Sequence, residues 1–230
     1  MKIIFLILSG HDSIHTYADR NTYTQLQQLS RLYYKEMAKK YDLKYFFIEY
    51  NESMIDDITE QDDFIYIKGT EEFEKIYTKT KKSMQYIEQT YEYDYVVRTN
   101  ISSFWNIDNL FTLTNNLPRQ QCLSGYLMFN SFISGTGIIL SKDTCNYFIH
   151  QPDVSGPDDV GIFRTIINYC LPFQIENYYT MYWLIDGTNN IPEKMDNILY
   201  FRIKNEDRTN DIICFKILLK KIYNIDIYTP

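Results

Sequence analysis

Along this chain, short runs of apolar residues alternate with longer stretches whose apolar positions recur every three or four residues. The first pattern suits buried strands and the second suits helices packed on one face. Ile3 to Leu8 is six consecutive apolar residues, a strand that ends at Ser9-Gly10 and gives way to the polar loop HDSIHTYADRN. From Thr22 to Tyr41 the spacing of Leu26, Leu29, Leu32, Tyr33 and Met37 predicts a helix, and Lys44 to Tyr50 reads as a second strand. A strand, a long crossover helix and a strand in that order indicate parallel neighbours joined right-handedly.

The pattern continues through an acidic connector, EYNESMIDDITEQDD, to a short strand at Phe64 to Lys68. A helix follows over Glu71 to Gln89, with Phe73, Ile76, Tyr77, Met84 and Ile87 spaced to face a sheet. Tyr95-Val96-Val97 is a β-branched and aromatic run that changes abruptly, at Arg98, to Thr99, Asn100, Ser102 and Ser103. Asn106 is placed to cap a short helix over Ile107 to Leu117. Strands are expected at Gln121 to Phe129 and at Phe132 to Leu140, the latter carrying Gly135 and Gly137, with a helix beginning near Asp143. Asp158-Asp159 can open a helix over Val160 to Tyr169. A strand-like run spans Phe173 to Asn177, and the remainder reads as a strand (Ile198 to Ile203), a polar loop and a helix (Asp211 to Tyr223). No linker or repeat interrupts the chain, so the expectation is one α/β domain over residues 1–230 with a mixed sheet flanked by helices.

Composition narrows the function classes. At 230 residues, with 45% hydrophobic and 23% charged positions, the chain has an ordinary globular balance. A net charge of −7 argues against nucleic-acid binding. Cys122, Cys145, Cys170 and Cys214 form no Cys-x-x-Cys pair, and the 3 histidines have no ligand spacing, so neither a zinc framework nor a disulfide scaffold is expected. The start MKIIFLILSG is too short to span a membrane and lacks a cleavage pattern, which points to a cytoplasmic protein. The acidic run containing Asp56-Asp57 and Asp62-Asp63 reads as a solvated loop. His11 and His15 flank the exit of the first strand, and Trp105 and Trp183 are candidates for stacking on a ligand ring, with core packing the default for Trp105.

Ligands of open α/β sheets bind beyond the carboxyl ends of the strands, and three segments qualify: the polar exit after Val97, the SGTG turn at Ser134 to Gly137, and Asp158-Asp159. Together they resemble the inverting β-1,3-glycosyltransferases of the galactosyltransferase and fringe type, which have the GT-A fold. That family's K-T-D-D-D-V-F-V-N pattern is matched by Arg98-Thr99-Asn100-Ile101-Ser102-Ser103-Phe104-Trp105-Asn106. Its C-S-G-T-G-Y-V-F-S motif is matched by Ile133 to Ser141, its E-D-V or P-D-D motif by Pro157-Asp158-Asp159-Val160, and its N-L-T-x-K-T by Ile76 to Thr80. The similarity runs from about Phe64 to Phe163.

The resemblance implies a GT-A-like sheet and a hexosyltransferase using a nucleotide-sugar donor, UDP-linked, and a hydroxyl acceptor such as a glycan. It places Asp159 as general base with Asp158 as helper. Ser9, Arg20, Arg98, Thr99, Asn100, Ser102, Arg202 and Lys204 fall to the donor, and Ser134, Gly135, Thr136 and Gly137 to the substrate. The family's D-x-D carboxylates hold Mn or Mg on the donor diphosphate, because hard cations take charged oxygen ligands. Here Asn100 and Ser102 stand in those places, a degenerate motif. Three consequences stay open: the metal is lost, held weakly, or replaced by protein cations from Arg98 and the tail YFRIKNEDR. Each assignment has a plainer counterpart, a helix cap for the acidic pair and a solvated loop for the tail. A catalytically inactive binding module of the same fold is the alternative function. A nucleotidyltransferase is a third, and it lacks a glycine-rich phosphate loop after the first strand.

Overall fold

The computed structural model describes residues 1–10, 20–129, 131–154, 157–169, 174–176, 180–183 and 191–226. His11, His15 and Cys170 lie outside them, and of Arg20 and Trp183 only the backbone is described.

At the centre is β1 (Ile3–Leu8), all but its last residue buried, as expected of a strand covered on both faces. It pairs in parallel with β2 (Leu43–Asn51), which α1 (Arg20–Lys40) connects to it, and with β5 (Tyr95–Asn100) on its other side. β4 (Phe64–Lys68) continues the parallel run beyond β2, and α2 (Ile76–Thr90) leads back to β5. Past β5 the direction reverses. β8 (Phe132–Ser141) runs antiparallel to β5 and to β7 (Cys122–Met128), and β9 (Gln174–Glu176) lies parallel to β7 at the edge. With β3 (Ile58–Gln61) paired to β4, the sheet order is β3-β4-β2-β1-β5-β8-β7-β9. This is the mixed, mainly parallel α/β sheet expected from the pattern.

Alternation along β1 divides the core. Ile3, Phe5 and Ile7 join a cluster with α1, α3 (Ile107–Thr114) and α6 (Thr209–Tyr223), whereas Ile4 and Leu6 join one with α2, α4 (Lys142–Ile149) and α5 (Asp158–Tyr169). Asn106 caps α3 as expected, its side chain accepting from the Asn109 amide at 3.2 Å.

Three features depart from the pattern. The acidic connector holds the strand β3, and Asp63 is gripped by Arg31 at 2.5 and 2.9 Å. Phe73 does not face the sheet: it lies half-exposed in a 3₁₀ turn (Phe73–Lys75) ahead of α2. The polar residues Arg98 to Asn100 are still strand, and after one turn the chain enters β6 (Ser103–Trp105). β6 pairs antiparallel with β11 (Ile198–Arg202), which pairs with β10 (Thr180–Trp183), making a second, three-stranded sheet. Runs of three or four residues carry too little periodicity to be read as strands.

Where β6 leaves the main sheet, Trp105 fills the junction. It is 1% exposed, stacks on Tyr200 at 4.6 Å and donates its indole N–H to Thr99 Oγ1 at 2.8 Å. Gly137 leaves room for this ring: a methyl group there would stand 2.5 Å from Trp105 Cζ2 and 2.9 Å from Cη2. The ring is pinned by its stack and its hydrogen bond, so it cannot yield cheaply. Gly137→Ala is expected to destabilise the protein by roughly 1–3 kcal/mol, measured by urea denaturation. An unchanged midpoint would show that Trp105 can shift.

Candidate active site at the strand ends

The topology brings distant segments to one edge of the sheet. Leu8 of β1 is in register with Asn100 of β5, so Ser9-Gly10 and Asn100 to Ser102 leave their strands side by side. Because β8 is antiparallel, its early residues lie at the same edge, with Gly137 opposite Thr99. The N-terminus of α5 comes under this edge, and β11 delivers Arg202 opposite Ser103. Between them opens a cavity of about 530 Å³, within the range of small-molecule sites.

Most of the residues singled out in the sequence line it: Ser9, Arg98, Asn100, Ser102, Ser134, Gly135, Thr136, Asp158, Asp159, Arg202 and Lys204. Two do not. Thr99 is wholly buried and joins β5 to β8 by donating to the Thr136 carbonyl at 2.7 Å, and Gly137 faces Trp105. The Arg20 side chain lies outside the described residues. Among the polar lining residues, Tyr23, Glu71, Glu72 and Lys79 carried no predicted role, and Arg208 was marked only as one of the cations of the tail. Lys79 sat in a recognised motif, but its part depends on Glu71, eight residues earlier and a turn away in the fold.

Electrostatics divide the lining into matched and unmatched charges. Arg98 is 3% exposed and directs Nε and Nη2 at Asp158 Oδ2, at 2.6 and 2.5 Å. Thr80 donates to the same oxygen at 2.9 Å. This pair ties β5 to the first residue of α5. Lys79 is likewise matched, donating to both Glu71 oxygens at 2.8 Å and to the Ser9 carbonyl at 2.9 Å, while burial pulls its pKa below the ordinary lysine value. Gln27 reaches Ser9 Oγ and Glu49 from the other side at 2.7 and 2.5 Å.

Asp159 is different. Among the described residues no cation pairs with it. Its Oδ2 accepts from the Gly135 amide at 3.0 Å and its Oδ1 from the Val160 amide at 2.8 Å. Gly135 permits this approach, since a methyl group there would meet Arg98 Nη1 at 2.8 Å and Asp159 at 3.1 Å. The half-buried carboxylate is thus held against the SGTG segment, which is strand in β8 rather than the expected turn, at the cavity wall.

Across the lining stand three further cations, of which Arg202 and Lys204 have no carboxylate partner among the described residues. Arg202 donates through Nη1 to Ser102 Oγ at 2.6 Å and to the Ser102 carbonyl at 3.2 Å, and its buried Nε has no partner. Burial first, then Arg208, pulls its pKa down to about 10. Lys204 is exposed, and its pKa is lowered by burial of its inner portion and by Arg202. Arg208 pairs with Asp211 at 2.6 Å, yet its buried Nη2 is also unpartnered. A buried donor left unsatisfied costs about 1–3 kcal/mol, and both of these side chains line the cavity.

The places of the family's metal-binding carboxylates do not suit a cation here. Asn100 Oδ1 accepts from Arg98 Nη1 at 3.3 Å and Ser102 Oγ from Arg202, so both oxygens face guanidinium groups. Among the described residues no group of three or more His, Cys, Asp or Glu side chains is gathered to hold a metal.

The Arg98–Asp158 pair carries a measurable consequence. Arg98→Met should cost about 3–5 kcal/mol by stranding a buried carboxylate, and Asp158→Asn should cost less because Thr80 still reaches the amide oxygen. The double variant is expected to be more stable than the sum of the two losses predicts. Additive losses in a denaturation cycle would show that the two side chains are not coupled.

No protein-family model matches this sequence, and no curated protein matches it. Among solved structures, it is similar to a glycosyltransferase involved in the glycosylation of the major capsid of PBCV-1. That match has a TM-score of 0.51 and 14% identity, covering 94% of this chain and 100% of the other. The catalytic domain of Drosophila β1,4-galactosyltransferase 7, crystallised with xylobiose, aligns with a TM-score of 0.46 and 12% identity over 89% of this chain and 72% of that one. The fold, a mixed α/β sheet flanked by helices, is that of the PBCV-1 enzyme.

Proposed function

We propose that this chain is a glycosyltransferase that moves a sugar from a nucleotide-sugar donor, UDP-linked, to a hydroxyl acceptor with inversion at the anomeric carbon. One observation carries the reading. Asp159, a carboxylate with no cation partner among the described residues, shares a strand-end cavity with Arg202 and Lys204, cations with no carboxylate partner among those residues. Glycosyl transfer needs both. A base must take the proton of the attacking hydroxyl, and positive charge must meet the diphosphate as the bond from the anomeric carbon to its oxygen breaks.

In this reading Asp159 is the base. Its two amide hydrogen bonds fix the carboxylate without neutralising it, and one of them comes from the SGTG segment, where Ser134, Gly135 and Thr136 border the substrate. Asp158 acts through position: paired with Arg98 and bonded by Thr80, it sets the start of α5 and so the placement of its neighbour. Arg202 and Lys204 receive the donor phosphates, and Asn100 and Ser9 border the donor. The residues in the D-x-D places fit guanidinium partners rather than Mn or Mg, so no step is assigned to a metal. The resemblance of the motifs and the fold shared with a glycosyltransferase both support the reading, and the sugar and acceptor follow from neither.

Asp159→Asn keeps one of the two amide contacts, because the two N–H groups meet different oxygens and the Asn side chain has only one, and it removes the base. It should lower transfer by about 10²–10⁴-fold, the usual contribution of general-base catalysis, with donor binding within a few-fold of wild type. A thermal-shift panel of nucleotide sugars, with and without manganese and with chelator, identifies the donor first. Transfer that survives in Asp159→Asn would remove Asp159 from the mechanism, and a panel with no shift for any donor would remove the transfer reading itself.

A further inference from the structure

We infer that Arg202 and Arg208 form a two-armed seat for a diphosphate group, with Lys204 at its mouth, and that this seat grips its ligand without a metal ion. The inference rests on the transfer reading and deepens it by assigning the grip to guanidinium donors, with Arg208, one of the tail cations, as the second arm.

Both guanidinium groups are buried, at 9% and 4% exposure, and both line the cavity. Each is already held on its far side. Arg202 is fixed by the hydroxyl and carbonyl of Ser102. Arg208 is fixed by Asp211 and lies over the Tyr23 ring at 5.5 Å. Each also keeps one buried N–H without an acceptor, Nε of Arg202 and Nη2 of Arg208. Buried polar groups are almost always satisfied, and an exception asks for a cause such as a missing ligand. Among the described residues Ser103 Oγ is a third such atom and does not line the cavity, whereas the two cationic ones belong to side chains that do and that are already fixed in place.

The ligand's chemistry follows from the donors. Arg202 has no carboxylate partner among the described residues; its pKa is lowered by burial first and then by the like charge of Arg208, and these two cations share the wall. Holding them together in a buried wall is unfavourable until an anion enters. A carboxylate brings one charge and two oxygens. A diphosphate brings more charge and oxygens on two centres, which suits two separate guanidinium arms that bond phosphate oxygens directionally. Lys204, exposed and mobile on its stem, adds a point charge at the rim. Because Ser102 Oγ is engaged by Arg202, a divalent cation bridging the phosphates would have to displace a guanidinium from the place it would occupy.

The test is isothermal titration calorimetry of the full chain with inorganic pyrophosphate and with orthophosphate, each in EDTA and in magnesium. Pyrophosphate is expected to bind one site in EDTA, at least about tenfold tighter than orthophosphate, as charge-assisted bonds to a second phosphate would give. Arg202→Met and Arg208→Met should each weaken it by about tenfold or more, and the exposed Lys204→Met by about threefold. Where a methionine variant does not fold, Arg208→Lys keeps the charge and removes the fork, and a loss of about fivefold or more is expected. Pyrophosphate binding that requires magnesium, or that is unchanged in the Arg208 variants, overturns the seat. The transfer reading fails separately. A protein that binds pyrophosphate as described but transfers no sugar keeps the seat and loses the enzyme. Asp159-dependent transfer with a donor KM untouched by Arg208→Met does the reverse.

Discussion

The buried ion pair between Arg98 and Asp158 is the constraint on which the site depends. It joins the last turnless stretch of β5 to the first residue of α5 across 60 positions of sequence. Two charges in a dry interior are tolerated only when they satisfy each other closely, so the pair permits little freedom in how the helix approaches the sheet. Asp159 inherits that precision. Its amide bond from Gly135 forms because α5 is already seated, and Gly135 is small enough to let it in. A single electrostatic clamp in the floor of the cavity therefore sets the geometry of the residue proposed to act in it.

Around that clamp the cavity is sorted by charge. The cations nearest the sheet centre, Arg98 and Lys79, are matched by Asp158 and Glu71 and serve the fold. Those brought by the last strand and the loop after it are wholly or partly unmatched, and they face inward. The same residue types thus divide into structural and ligand-facing sets according to whether a carboxylate was folded against them. No count of basic residues in the chain would reveal this, since the net charge is −7.

Much of the fold was legible. The six-residue run of β1 and the Gly-bearing run of β8 could hardly be other than strands, and the spacing in α1, α2 and α5 placed helices between them. Legibility failed where structure is short or made by distant partners. β6 is three residues whose pairing lies in β11, nearly a hundred residues on, and β3 is visible only as the partner of β4. The site divides in the same way. Asp158, Asp159 and the SGTG segment were marked by local pattern, and the cavity collects them. Thr99 and Gly137 share those motifs but face Trp105: Thr99 alternates with Arg98 along β5, and Gly137 lies opposite Thr99 where β5 pairs with β8, a partner that motif membership does not reveal. Arg208 was one cation among several in a polar tail, and only Tyr23 and Asp211 give it a fixed direction.

The second sheet has a consequence for how the chain acquires its site. Its central strand is β11, and β6 waits for that strand through the whole of the intervening sequence. The carboxylate wall is complete by residue 159, whereas the guanidinium wall arrives with residues 202 to 208. A chain still being synthesised would hold a negatively lined half-cleft with nothing to draw an anion into it. Contacts so far apart in sequence form late because their loop entropy must be overcome first. Formation of the guanidinium wall then depends on β11 pairing back onto β6.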